Sequence, residues 1–105
     1  MSDKVYQIQA DILLALSHSN RIKILEYLRA GEKCNCEIYP ALGLEQSNLS
    51  RHLKVLQQAG LVITRKQGLS VYYQISDPNV FQVLDAVKNL LKTRLQESSS
   101  LLAKI

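Results

Sequence analysis

Two groups of residues in this chain have the types and spacing to do chemistry. The first is Cys34 and Cys36, one residue apart. Thiolates are soft donors that bind soft ions, and two neighbouring thiols can also close to a disulfide. In a reducing compartment such a pair is more often a metal or redox site than a structural bridge, and a disulfide here closes too small a loop to add much stability. The second group is cationic. Between Gln46 and Ser76 there is no Asp or Glu, yet Arg51, Lys54, Arg65 and Lys66 all fall inside. A stretch that excludes negative charge while offering several cations points to a polyanionic partner, nucleic acid first.

Those residues need elements to place them, and the hydrophobic periods supply the elements. Val5, Ile8, Ile12 and Leu16 repeat with the helical period over Asp3 to Leu16. Ser17 to Asn20 is a break of cap-forming residues, where His18 reads as a cap-region residue rather than a stray metal ligand. Ile22, Leu25 and Leu28 mark a second helix, which Gly31 can stop. A third, short helix is expected from about Asn35 to Leu42, ended by Gly43. A fourth follows, with Ser47 as its N-cap and Gly60 as its terminator. The period then changes from helical to alternating. Val62, Thr64 and Lys66 share one face of a strand, Val71, Tyr73 and Ile75 one face of the next, with Gln67-Gly68 as the tight turn. Asp77-Pro78 opens a last helix striped with Val80, Val83, Leu84, Val87, Leu90, Leu91 and Leu95. The serines at 98–100 are expected to fray it before a short apolar tail. Helix, helix, helix, turn, helix, hairpin, helix is the order of a winged helix-turn-helix. The chain is thus expected to be mostly α with a small β-hairpin, one domain over residues 1–105. A bland α+β domain with a small hairpin is the alternative.

On the fourth helix, Leu49, Leu53 and Leu56 cluster on one side and must meet a core. Ser47, Arg51, Lys54 and Gln58 lie opposite, with Ser50 beside them. A helix that reads the major groove needs that division. Gln46, Ser47 and Asn48 are placed to reach base edges, Arg51 to meet guanine or phosphate, and Lys54 to meet phosphate. Arg65, Lys66 and Gln67 at the hairpin tip would lie over the neighbouring minor groove or backbone. The competing reading is a plain solvated amphipathic helix. His52, at the edge of the apolar face, reads better as a satisfied, partly buried histidine than as a phosphate contact.

Composition narrows the class. With 47% hydrophobic and 21% charged residues, 105 residues make one ordinary globular domain with a modest core. The formal net charge of +4 suits a nucleic-acid partner without demanding one. No run of about 18 apolar residues offers a membrane span, and the N-terminus lacks a signal-peptide core, so a cytoplasmic location is expected. There is no Gly-rich phosphate loop and no convergent acid–base set, which leaves thiol–disulfide exchange as the only enzymatic chemistry and argues against an enzyme. The last helix carries more apolar surface than a small core can cover, and the first offers a second stripe. Pairing of these terminal helices between two copies is therefore expected, with burial inside a monomer as the alternative.

The blocks ALSHSNRIKILEYL, CNCEI, QSNLSRHLKVLQQAGLV and TRKQGLSVYYQI resemble the ArsR/SmtB family of metal-sensing repressors, over about Ala15 to Ile75. The resemblance implies a homodimeric winged-helix repressor on a palindromic double-stranded operator, released by an inducer, in an operon for metal efflux or detoxification. It further implies that Cys34 and Cys36 match the Cys-x-Cys at the start of the third helix, where arsenite, antimonite, cadmium or lead binds. A helix N-terminus and nearby Lys33 favour thiolate formation there. Residues i and i+2 of a regular helix point about 200° apart, so both sulfurs can hold one ion only where the turn is unwound or extended. Two departures stand out. The place of a third sulfur is taken by Tyr39, and the family's site on the last helix finds Asp77 and Asp85 but no histidine. Thiol redox sensing, a pair without sensory function and a winged-helix protein-interaction module remain as alternatives.

Overall fold

The computed structural model describes residues 2–96. Helices α1 (Asp3–Leu16) and α2 (Ser19–Tyr27) and a single 3-10 turn (Leu28–Ala30) lead to a short strand, β1 (Lys33–Cys34). Helices α3 (Asn35–Leu42) and α4 (Gln46–Gln58) follow, then strands β2 (Val62–Gln67) and β3 (Ser70–Ile75) and helix α5 (Asn79–Arg94). This is a winged helix-turn-helix, with α3 and α4 as the helix pair and β2–β3 as the wing. One element goes beyond the expected order. Strand β1 pairs antiparallel with β3, Lys33 opposite Tyr73 and Cys34 opposite Tyr72, giving a sheet in the order β1-β3-β2. Two residues carry no readable alternation, so the sequence pattern shows only the hairpin.

Helix α4 is where the core and the polar surface divide. Leu49, Leu53 and Leu56 are buried in one core with Ile24 and Leu25 of α2, Leu28 of the 3-10 turn, Ile38 of α3, and Leu61, Val62, Val80 and Leu84. An amphipathic stripe of this width needs a core beneath it, and the surrounding helices provide one. The helix begins two residues earlier than expected. Gly43 ends α3 in the left-handed region at φ 66°, and Leu44 N donates to Tyr39 O at 2.9 Å. Extended Glu45 then accepts from Leu49 N, so Glu45 and not Ser47 is the cap, and Ser47 lies inside the first turn. The wing turn is shifted by one residue, to Gly68-Leu69, because Gln67 pairs with Ser70. Gly68 alone has positive φ there, as a hairpin turn with glycine first requires. Asp77 does cap α5, its Oδ1 accepting from Asn79 N at 2.8 Å, and Pro78 takes helical dihedrals of φ −56° and ψ −21° where the first turn opens. Leu95 caps the other end; the expected fraying at 98–100 and the apolar tail lie outside the described residues.

The outer helices bury little of their stripes. In α1 only Ala15 and Leu16 are buried, and in α5 only Val80 and Leu84. Val5, Ile8, Leu13 and Leu14 remain exposed on α1, as do Val83, Val87, Leu90 and Leu91 on α5. Internal burial of these stripes, the monomer alternative, is not what the fold does.

A polar node joins α1, α2 and α4. His18 caps α2, its Nδ1 accepting from Asn20 N at 3.0 Å. Arg21 donates to Ala15 O at 2.6 Å and to Leu14 O at 3.3 Å, closing the carbonyl end of α1. Its Nη1 also reaches Nδ1 of His52 at 3.4 Å, and the His18 and His52 rings pack with centroids 4.4 Å apart. His52 is 7% exposed; it fixes α4 and does not face outward. Burial, with the neighbouring His18, Arg21 and Arg51, holds its pKa below the ordinary 6.5.

Two outcomes follow from this packing. Leu56→Ala should lower stability by about 2–5 kcal/mol, measured by urea denaturation; a loss under 1 kcal/mol would contradict the buried position. Because the folded state disfavours the His52 imidazolium, its contribution is complete above pH 6.5 and is lost as pH falls through the lower folded value. Melting temperatures should therefore drop more steeply below pH 6.5 for the wild type than for His52→Gln, and parallel profiles would exclude this origin.

Candidate functional site

Opposite its leucines, α4 presents a polar face. Gln46, Ser47, Ser50, Arg51 and Lys54 are exposed, and Asn48 is half-buried. Asn48 Oδ1 accepts from Arg51 Nη2 at 2.9 Å, which orients the guanidinium along the face. Arg51, Lys54 and Lys66 take part in no ion pair among the described residues. The face that the 3.6-residue period marks is thus cationic, accessible and free of acids. Arg65, Lys66 and Gln67 are exposed on the outer wing strand, just before the turn. Helix α4 and β2 follow each other directly through Gly60, so both sets of side chains are carried by one continuous, acid-free piece of chain.

Arg65 differs from its neighbours. Its Nη2 lies 2.7 Å from Glu32 Oε1 and its Nε 3.0 Å from Oε2, while Nη1 donates to Gln67 Oε1 at 2.6 Å. The guanidinium also lies 4.5 Å above the Tyr72 ring. Hydrogen bonding to Arg65 holds the Glu32 carboxyl below the usual range, and the same bond raises the arginine. The acid-free stretch therefore receives an acid from outside itself. Sequence reasoning missed Glu32 because the only signal for it is its place beside β1, a strand the pattern did not show.

At the thiols, Cys34 lies outside the helix. It is the N-cap of α3, extended at φ −72° and ψ 145°, its Sγ accepting from Cys36 N at 3.1 Å. Glu37 Oε1 accepts from Cys34 N at 3.1 Å, completing a reciprocal cap. With Cys34 extended, the two sulfurs converge on one side, which a regular helical turn forbids, and a disulfide joins them. Cys34 is buried and Cys36 exposed. Lys33 extends toward Tyr27 and not along the sulfurs. Successive strand residues point to opposite faces, and its Nζ lies 5.6 Å over the Tyr27 ring.

A trigonal thiolate shell needs a third soft donor, and the chain has only two cysteines. Among the described residues no three His, Cys, Asp or Glu side chains gather to hold a metal ion. Tyr39 packs against the core. Asp85 is bound to Arg29 at 2.9 Å, and Asp77 caps α5. The two sulfurs alone fit dithiol–disulfide chemistry, or part of the shell of a thiophilic ion.

Comparison with known proteins meets this geometry. The model of the bacterial regulatory protein arsR family matches residues 18–64. The HTH-type transcriptional regulator Rv0081 of Mycobacterium tuberculosis is 33% identical over 96% of this chain and 90% of its own. Its crystal structure superposes with a TM-score of 0.80, covering 91% of this chain and 97% of that one. The arsenical resistance operon repressor of Staphylococcus aureus is 34% identical over 87% of this chain and 86% of its own. The homodimeric winged helix-turn-helix DNA-binding domain Mb0332 of Mycobacterium bovis, solved by NMR, gives a TM-score of 0.81 at 28% identity, over 92% and 93% of the two chains. No helix among the described residues is long and apolar enough to cross a membrane. Fold, family model and relatives agree that this chain belongs to the ArsR family of bacterial transcriptional regulators, proteins that bind DNA and are not enzymes.

Proposed function

We propose that the chain is a cytoplasmic, homodimeric repressor that reads a palindromic operator with α4, grips the flanking backbone with its wing, and takes its input at Cys34 and Cys36. The observation that carries the reading is the accessible, acid-free face of α4 set opposite three buried leucines. Gln46, Ser47, Asn48 and Ser50 are the base-edge candidates near the helix start, Arg51 the guanine or phosphate contact, and Lys54 a phosphate contact. Lys66 and Gln67 add wing contacts, with Arg65 as a conditional one. The exposed stripes of α1 and α5 support the dimer. They flank a groove of about 590 Å³ lined by Leu13, Leu16, Ile22, Val83, Val87 and Leu91, and a two-fold dimer would set two reading helices about one DNA turn apart.

For the input, dithiol–disulfide switching fits best, since it needs no atom beyond the two sulfurs already side by side. A second reading is favoured by the same convergence and by the arsenical-resistance relative: an arsenite, antimonite, cadmium or lead ion bridges both sulfurs and takes its remaining donor from solvent or from a second copy.

Arg51→Ala should weaken operator binding roughly tenfold or more, and Lys66→Ala should lower the slope of log affinity against log salt by about one phosphate contact. Unchanged affinity and slope in both would refute the docking. Peroxide treatment should weaken operator binding by the wild type and not by Cys36→Ser, read by fluorescence anisotropy. Weakening by arsenite or cadmium with no response to peroxide would establish the ion reading instead.

A further inference from the structure

The wing arginine and the thiol pair belong to one cross-strand row. Cys34 on β1 pairs with Tyr72 on β3, and Tyr72 pairs with Arg65 on β2. Directly paired residues project from the same face of a sheet, so the three side chains stand in line. Glu32, two residues before Cys34, reaches along that line and holds Arg65. The hold is a two-pronged fork, Nε to Oε2 and Nη2 to Oε1, the geometry with which an arginine holds a phosphate. Nη1 is engaged by Gln67. The edge of the guanidinium that would meet a DNA backbone is filled by a carboxylate of the protein's own chain.

Glu32 hangs on a short tether. Strand β1 has two residues and few ladder bonds to keep its register. Its far end is the corner where Cys34 caps α3 and joins Cys36. The cross-link constrains that corner, two residues along the chain from Glu32, and the dithiol form lacks the constraint. Closing the bond with hydrogen peroxide moves two electrons and two thiol hydrogens to the peroxide, leaving one Sγ–Sγ bond and two waters.

We propose that Glu32 is a positioning residue that occupies Arg65 in place of a DNA phosphate when Cys34 and Cys36 are joined, and that the dithiol form releases Arg65 to the DNA. This rests on the DNA-binding reading above and supplies the route by which the thiols act on it, through the wing.

The test is binding of the full chain to a fluorescein-labelled, mixed-sequence duplex of about 30 base pairs over a potassium chloride series. The protein is either kept reduced or oxidised with hydrogen peroxide. Glu32→Gln keeps the shape and removes the charge. Oxidised Glu32→Gln should bind severalfold tighter than oxidised wild type, with a salt slope steeper by about one contact. Both gains should vanish when Arg65→Ala is added, and the reduced proteins should differ little. Arg65→Lys, which keeps the charge but cannot form the fork, should likewise bind tighter than wild type when oxidised. An unchanged slope, or a gain that survives Arg65→Ala, overturns the exchange of carboxylate for phosphate. Equal gains in reduced and oxidised protein overturn the part played by the cysteines. A wild type that binds duplex in neither state removes the DNA-binding reading itself and this proposal with it.

Discussion

The antiparallel pairing of β1 with β3 is the constraint on which the arrangement of the site depends. Lys33 and Cys34 bind edge-on to the inner wing strand, and this brings three otherwise separate pieces of chain into contact. It places Glu32 against Arg65, sets Cys34 at the mouth of α3 as its cap, and turns Lys33 toward Tyr27. Without it the wing would be held only through its base, where Val62 is buried in the core and Tyr73 and Ile75 pack against it, and the thiols would belong only to the helix pair. The wing instead shares its sheet with the segment that carries the sulfurs.

A second set of interactions holds the last helix to the second. Arg29 bonds both Glu26 and Asp85, Lys88 bonds Glu26, and the Arg29 guanidinium lies over Phe81. Burial pushes the Glu26 carboxyl up, but hydrogen bonds from Arg29 and Lys88 outweigh it and hold the group below its usual range. These pairs are partly exposed, so each contributes modestly to stability; their effect is orientation. They agree with the burial of Val80 and Leu84, which leaves Val83, Val87, Leu90 and Leu91 facing away from the core.

Periodicity made most of this legible. The leucines of α4 imply both its buried side and its polar side, and the change of period after Gly60 announces the wing. Boundaries governed by backbone geometry were less visible: Glu45 caps α4 through its extended backbone, with no side-chain bond for a sequence pattern to show. Long-range pairings were not visible at all. Glu32 and Arg65 lie 33 residues apart, and Arg21 and His52 lie 31 apart. Each depends on register and packing that no local window contains. The spacing of Cys34 and Cys36 makes their convergence conditional on an extended turn, and the extended capping position of Cys34 meets that condition.

Strand order carries a consequence for how the molecule behaves in a crowded solution. With β3 in the middle, β1 and β2 are the two margins of the sheet, and a margin offers unpaired amide and carbonyl groups to any passing strand. One margin is protected by being only two residues long. The other runs for six residues but bears Arg65 and Lys66 on its two faces, and like charges on an incoming copy would have to be brought together. Removing cations from β2 would therefore leave a barer template for sheet-to-sheet growth, so the charge on this margin acts against pairing between copies of the chain.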